Sequence, residues 1–505
     1  MVNAVEGVDE VGRIETRGID HIPENERHST PRNLFTVLSG AQLCFALFVF
    51  GWLPIVYGLG WWSAVSAITV GLLIGSLLLG LVSLLGPGTG TNTAVSSGAV
   101  FGVLGRLVGS LVALFIAIGA YALTIWTGGQ AVAASAERLF GWGGGDVGLA
   151  ISYLLPAVVT IVMAIYGHAN LVRVHKVVAP SMAVLIVVGF VVLGPQFDAS
   201  YQGGAYILGS FGPTWVLAML TALAAPLSYA PFVNDYSRYI SERRFSRRRI
   251  ATAGGVGIFV GLWIALIFGA YAASIFTDPS TDFTLGLVGI SPTWYVLPLL
   301  VIGLFGTVGQ GSMAIYGTGL DTSSLFPRLS RVPATVIVSA AGLALVYLGS
   351  FVWNALPLVS TFISLLSIIT APWVAIMLIG YFRNRGEYTP EDLQVFTERR
   401  RGGRYWYSGG WNPVAMVAWS IAVVVGLLFS ANSIYVGAWS QVAGGVDLSF
   451  ISSLALGGLI YGVAVAVDPG VAAVRRPRPV DSSHPPVPGS AGDALPTPPL
   501  EGSTP

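Results

Sequence analysis

Runs of about twenty apolar residues recur along most of this chain, and no other feature limits its fold so tightly. A bilayer span needs about 20 apolar residues. Inside hydrocarbon the backbone polar groups must be satisfied within the segment, which makes each run a helix. Only 10% of the residues are charged and 54% are hydrophobic, against about 25% charged in soluble domains. Twelve spans are expected, near 34–57, 61–85, 104–136, 147–166, 172–194, 213–234, 251–276, 295–320, 332–352, 355–382, 412–432 and 448–467. The third is long enough to need tilt or an extended end. The expected class is an all-α polytopic membrane protein.

Charge orients the map, because short cytoplasmic loops concentrate Lys and Arg. With both termini inside, 24 of the 25 basic residues fall in inner segments, and only Arg138 falls outside. The expected location is the plasma membrane, multi-pass, with both termini cytoplasmic. The N-terminal stretch carries seven acids before the first apolar run and lacks the short apolar core of a cleaved signal, so the first span inserts the protein. Residues 475–505 are rich in Pro, Ser and Gly without periodicity, the composition of a disordered tail. The expected division is 1–33 N-terminal segment, 34–194 first five-helix repeat, 195–382 second repeat, 383–411 loop, 412–468 two further helices and 469–505 tail.

Catalysis has no visible carrier: no nucleophile motif, no phosphate-cradling glycine loop and no His pair at metal spacing. The lone Cys44 excludes an internal disulfide framework and multi-cysteine metal sites. A net charge of +1 gives no reason to expect nucleic acid. His168 and His175 read as ordinary interfacial histidines. Most of the 64 glycines read as helix packing, since small residues let membrane helices approach.

Four spans are interrupted or polar at mid-depth. The sixth meets Pro226 and Pro231 with Ser228 and Tyr229 between them. Proline removes a helix hydrogen bond, and in hydrocarbon that defect is tolerated where protein or a water-filled cavity satisfies the freed carbonyls. The first carries Ser39-Gly40-Ala41-Gln42, the third Tyr121, Thr124 and Gln130, and the eighth Gly306-Thr307-Val308-Gly309-Gln310-Gly311-Ser312. Each taken singly reads as an interhelical hydrogen bond or a kink. Spans one and six occupy equivalent positions in two halves of five, and matched interrupted helices point to a transporter site. Tyr229, Tyr121 and Phe232 supply π-faces for a flat ligand. Asp235 and Arg238 share a helix face and read as a gate or as a plain helix-end ion pair.

All 24 acidic residues fall in tails, loops or span ends on this map. Proton relays normally rest on intramembrane acids, whereas sodium is held by oxygen ligands. Sodium at the carbonyls of Ala41 to Cys44 is therefore the favoured coupling ion. A proton and an uncoupled facilitator stay open, and no other cofactor is expected.

Several stretches together resemble the nucleobase–cation symporter family, in its purine–cytosine permease branch. They are Glu15-Thr16-Arg17-Gly18-Ile19, Ile22-Pro23, Glu26-Arg27 and Pro31-Arg32-Asn33-Leu34-Phe35; Gly86-Pro87 with Thr89-Gly90 and Phe101-Gly102; Asp235-Tyr236-Ser237-Arg238-Tyr239; and Tyr316, Gly319-Leu320 and Pro327-Arg328-Leu329-Ser330-Arg331. The resemblance implies a five-plus-five inverted repeat with two extra C-terminal spans. It also implies import of a small heterocycle with a cation, the substrate lying between spans one, three, six and eight. Gln42 and Gln310 fall close to its amide positions, and Ser312 falls where it places the hydroxyls that bind the ion. The sequence departs from the pattern at Ala120-Tyr121-Ala122-Leu123-Thr124, where Trp-Phe-Gly-x-Asn is usual, at Tyr229 for a common tryptophan, and at Gly88 and Val100.

The resulting expectation is a monomeric cation-coupled importer of a nucleobase or related heterocycle, binding no nucleic acid. The same fold carrying an amino acid or a vitamin-like ring is the alternative. A membrane enzyme would need a buried acid, metal or nucleophile cluster that the sequence does not display.

Overall fold

The computed structural model describes residues 19–472 apart from 327–328, 354, 399 and 433. The run 15–18, Pro327-Arg328 and the 475–505 tail lie outside them. The described residues form helices joined by turns, with three isolated β-bridges. In order they are α1 (Pro31–Gly40), α2 (Phe45–Val56), α3 (Trp61–Val82), α4 (Leu85–Thr89), α5 (Thr93–Phe101), α6 (Arg106–Phe140), α7 (Gly145–Tyr166), α8 (His168–Leu193), α9 (Phe211–Leu227) and α10 (Asn234–Ser237). Then follow α11 (Arg247–Ala273), α12 (Phe283–Ile290), α13 (Thr293–Val301), α14 (Thr307–Leu325), α15 (Arg331–Phe351), α16 (Ala355–Arg383), α17 (Pro390–Gln394), α18 (Pro413–Phe429) and α19 (Ser449–Val467).

Among the described residues nine helices are long and apolar enough to cross a membrane, α1 and α2 make one bent pair, and α9 and α18 are shorter apolar helices. These segments are compatible with the twelve expected positions. Thr30 caps α1 through the Asn33 N–H, and Pro31 at its first position is pre-set for the helix. The third span, α6, has 35 residues, about 52 Å at 1.5 Å per residue, longer than a bilayer core and so in keeping with tilt or an extended end. The eighth is a composite of α13, a turn of π-helix at Ile302–Gly306, and α14. The sixth is helical only to Leu227, well short of the expected 234.

Close helix contacts follow the glycines. A Cβ on Gly257 would come within 2.9 Å of Phe35 Cα, while Gly261 abuts the Ser39 carbonyl and Gly269 the Phe48 carbonyl. One face of α11 thus carries both halves of the broken first span. The last two spans, α18 and α19, pack on α16.

Candidate functional site

The first span stops at Gly40 and restarts at Phe45, with the two halves bent by 62°. Cys44 is extended, and its carbonyl accepts the N–H groups of Leu47 and Phe48 as α2 begins. Among the described residues the carbonyls of Ala41 and Leu43 receive no N–H. The sixth span breaks in the matching place. Ser228 to Val233 run as successive turns between α9 and α10, with Pro231 in the non-helical stretch.

The two breaks face each other through a hydroxyl. Tyr229 Oη lies 2.8 Å from Gln42 Oε1 and 2.7 Å from Gln310 Oε1, all three residues buried. A phenol has one proton, so it cannot donate to both amide oxygens. Gln42 Nε2 donates to the Leu38 carbonyl at 2.9 Å, which leaves its oxygen to accept the tyrosine proton. Gln310 must then turn its NH₂ toward Tyr229 Oη, because the two ends of an amide are alike in shape. Its carbonyl is left free for a donor. Phe232 closes one side, its ring 5.5 Å from that of Tyr229.

Other residues singled out from the sequence stand apart from this trio. The Thr124, Ser228 and Ser312 hydroxyls each donate to a carbonyl of their own helix, Ala120, Ala225 and Gly309. The Tyr121 ring packs on Gly342 and Gly311, in a small cluster with Ile125, Tyr153 and Ala157, and its hydroxyl has no partner among the described residues.

Sequence reasoning did not foresee how the histidines are packed: His168 is 2% exposed and His175 is fully buried. His168 stacks on Tyr239 at 4.5 Å, and His175 wedges between Gly40 of α1 and Gly309 of α14. Hydropathy cannot reveal this, since only tertiary packing puts glycines on both sides of an imidazole. Asp321 is a second surprise. It is a span-end residue as expected, yet it is buried and neither carboxylate oxygen has a hydrogen-bond partner among the described residues.

At the basic end of the bundle the motifs quoted above meet. Asn234 Oδ1 accepts the Gly86 N–H at 2.9 Å, its own N–H donates to Thr93 Oγ1, and Asp235 Oδ1 accepts the Thr93 N–H at 3.3 Å. The short α10 is thereby docked on α4 and α5. Arg238 is buried and donates to the hydroxyls of Tyr239 and Tyr316. The N-terminal segment crosses this end as a strap. Ile22 N–H bonds Gly90, Arg27 donates to the Pro87 carbonyl at 2.8 Å, Ser29 N–H bonds Tyr239, and Gln394 reaches the Ile19 carbonyl. At the opposite end a vestibule of about 500 Å³ is lined by Trp52, Trp126, Gln130, Tyr153, Asp282 and Trp353.

The family described as "Permease for cytosine/purines, uracil, thiamine, allantoin" matches residues 21–457. The putative purine-cytosine permease YxlA of Bacillus subtilis (strain 168) is 27% identical over 462 residues, covering 89% of this chain and 95% of the relative. Among solved structures, the nucleobase-cation-symport-1 family transporter Mhp1, closed with bromovinylhydantoin bound, superposes with a TM-score of 0.70 at 19% identity, covering 89% and 95%. Its inward-facing form gives 0.69 at 18% identity, covering 90% and 96%. A Na+-coupled sialic acid symporter in an outward-open state gives 0.56 at 13% identity, covering 88% and 91%.

Proposed function

The chain belongs to the family of permeases for cytosine/purines, uracil, thiamine and allantoin, and on that premise we propose that it imports a nucleobase or closely related flat heterocycle together with a cation. The observation that carries the reading is the Tyr229 hydroxyl joining Gln42 and Gln310 across the two helix breaks. A flat heterocycle presents ring N–H and carbonyl groups in one plane, and the two amides offer both a donor and an acceptor with Tyr229 and Phe232 as apolar faces. Such pockets are mostly apolar with few placed polar groups. A ligand that inserts between the amides takes over the bonds now made by Tyr229, so binding and rearrangement of the breaks are one event.

Alternating access then has its two ends. The vestibule is the outer approach, and the strap with docked α10 is the inner closure, both termini lying on the cytoplasmic side of the plasma membrane. Asp235 and Arg238 belong to this inner gate through Thr93 and Tyr316. The cation belongs at the break in the first span, where the Ala41 and Leu43 carbonyls are open and unwound backbone favours an ion. Sodium and a proton are its two candidates.

The test is uptake of labelled cytosine, adenine and uracil into proteoliposomes, with allantoin, thiamine and glycine as competitors. Saturable nucleobase uptake that glycine leaves untouched is expected. Uptake of none of the three bases would overturn the substrate assignment.

A further inference from the structure

At the basic end of the bundle α1 and α11 run side by side in the same sense, Phe35 against Gly257 and Ser39 against Gly261. Along this seam lies an open groove of about 450 Å³. Its rim is made by three guanidiniums, Arg32 from α1 and Arg248 and Arg249 from α11, and its walls by Phe35, Ala253 and Val256. Arg32 and Phe35 are three residues apart, and Arg249, Ala253 and Val256 follow one another at four and three. Each set therefore lies on one helix face. On both helices the charge comes at the end of the span, and apolar side chains follow toward its middle.

The three arginines are exposed and none makes an ion pair or a side-chain hydrogen bond among the described residues. The acids of this end are engaged elsewhere: Glu242 pairs with Arg247 at 3.2 Å and Glu24 with Arg27 at 3.1 Å. Arg247, next in sequence, is not part of the groove; it donates to the carbonyls of Arg385 and Gly386. The groove thus carries positive charge with nothing beside it to offset that charge, and the N-terminal ends of two helices add to it. A second groove at this end, between α16 and α19, has a volume of about 380 Å³ and equally apolar walls. Arg383 is the only charged residue lining it among the described residues.

We propose that the groove between α1 and α11 binds one anionic phospholipid of the surrounding leaflet. Its phosphate is held by Arg32, Arg248 and Arg249, and one acyl chain lies over Phe35, Ala253 and Val256. Guanidinium N–H groups match phosphate oxygens in pairs, and basic side chains at a span end attract anionic headgroups. The occupant is a lipid rather than a free phosphate because the apolar walls continue from the charged rim into the span, and a free anion would leave them uncovered. The bound lipid fastens the first half of the broken span to α11, the helix that carries both halves.

The test takes the full chain in nanodiscs of mixed phosphatidylglycerol and phosphatidylcholine, releases it, and counts the retained lipid by native mass spectrometry. One phosphatidylglycerol should stay bound, and phosphatidylcholine should not. Replacing all three residues, Arg32→Gln, Arg248→Gln and Arg249→Gln, should lower that retention at least about tenfold, since each basic side chain near an anionic surface counts several-fold. Arg383→Gln should keep it. Equal retention of the two lipids, wild-type retention by the triple variant, or the same loss in Arg383→Gln would overturn the proposal. Displacement of the lipid by excess inorganic phosphate would give the groove to a free anion and overturn it as well. If the triple variant does not insert, the wild-type chain decides, using phosphatidylglycerol with a photoreactive group near the glycerol end of one chain. Labels on peptides holding Phe35 and residues 252–256 are expected, and labels spread evenly over the lipid-facing helices would refute the site.

Discussion

Tyr229 shows how much a single proton organises. With Gln42 tied to Leu38 and Gln310 turned to donate, the hydroxyl is the sole polar link between the two breaks among these three residues. Tyr229→Phe leaves two buried amides each short of a partner, and an unmade buried bond costs about 1–3 kcal/mol. Because a ligand would no longer have to displace that hydroxyl, substrate KM should fall roughly 5- to 100-fold with insertion intact, since 1.4 kcal/mol is about a factor of ten; an unchanged KM would reduce Tyr229 to packing. Asp321 poses the reverse case, a buried acid whose carboxylate has no hydrogen-bond partner among the described residues. Asp321→Asn removes a charge that burial penalises, so the thermal midpoint should rise, and a fall would mean that the carboxylate is stabilised where it stands. A pH effect belongs to Asp282, outside the spans, which caps α12 by accepting the Thr284 and Leu285 N–H groups. Burial lifts its carboxyl above the ordinary range, and the two N–H groups pull the other way. The folded state thus holds this proton more tightly than the unfolded chain, so the stability it contributes is present at acid pH and fades as pH rises through the folded value. Asp282→Asn keeps the cap and should flatten that part of the stability profile in thermal melts. Of these residues, the sequence marked Tyr229, Gln42 and Gln310 because polar groups in apolar runs stand out. It gave no warning about Asp321 or His175, whose burial depends on which helices become neighbours.

At the scale of elements, the breaks were legible and the connections were not. Gly40 and Gln42 signalled the first break, and Pro226 with Pro231 the second, because both devices withdraw backbone groups from the helix ladder. The structure breaks the sixth span where its prolines stand, the helix ending at Leu227 just after Pro226 and Pro231 lying in the turns that follow. The link between spans two and three reads as a loop in sequence, yet α4 and α5 are buried helices with Thr89, Thr91, Asn92, Thr93, Ser96 and Ser97 all inaccessible. Their hydroxyls bond one another and nearby backbone, a self-satisfied polar layer that hydropathy scores as exposed. The α11 glycines carry the sharpest prediction at this scale. Gly261→Ala drives a methyl into the Ser39 carbonyl, a backbone atom that cannot swing aside, and overpacking of this kind costs about 1–3 kcal/mol. Gly212→Ala meets nothing within 4 Å and should stay within about 0.5 kcal/mol of wild type. Equal melting temperatures for the two variants would dismiss the glycine track as a determinant.

Across the whole molecule the succession of apolar helices was written in hydropathy, whereas the closure of the basic end was not. Nothing local in residues 19–30 announces that they bind Pro87, Tyr239 and Gln394, because those partners are distant in sequence. Arg27→Ala should release the strap, measured as about tenfold faster hydrogen exchange at 86–90 and 239–241; unchanged protection would show that α10 stays docked without it. The same strap has a consequence for the order in which the protein is made. The Glu24 carboxylate is bonded by Ser241, 217 residues later, and the Ile19 carbonyl by Gln394, 375 residues later. At about 5–20 residues per second, the first of those partners leaves the ribosome on the order of 10–40 s after the segment that needs it, and the second on the order of 20–75 s after. Until then the strap is held only by its early partners Gly90 and Pro87, so a chaperone or targeting factor would find Ile19 and Glu24 without their late partners during insertion of the first half, and the basic end is fully fastened only after Gln394 has been made.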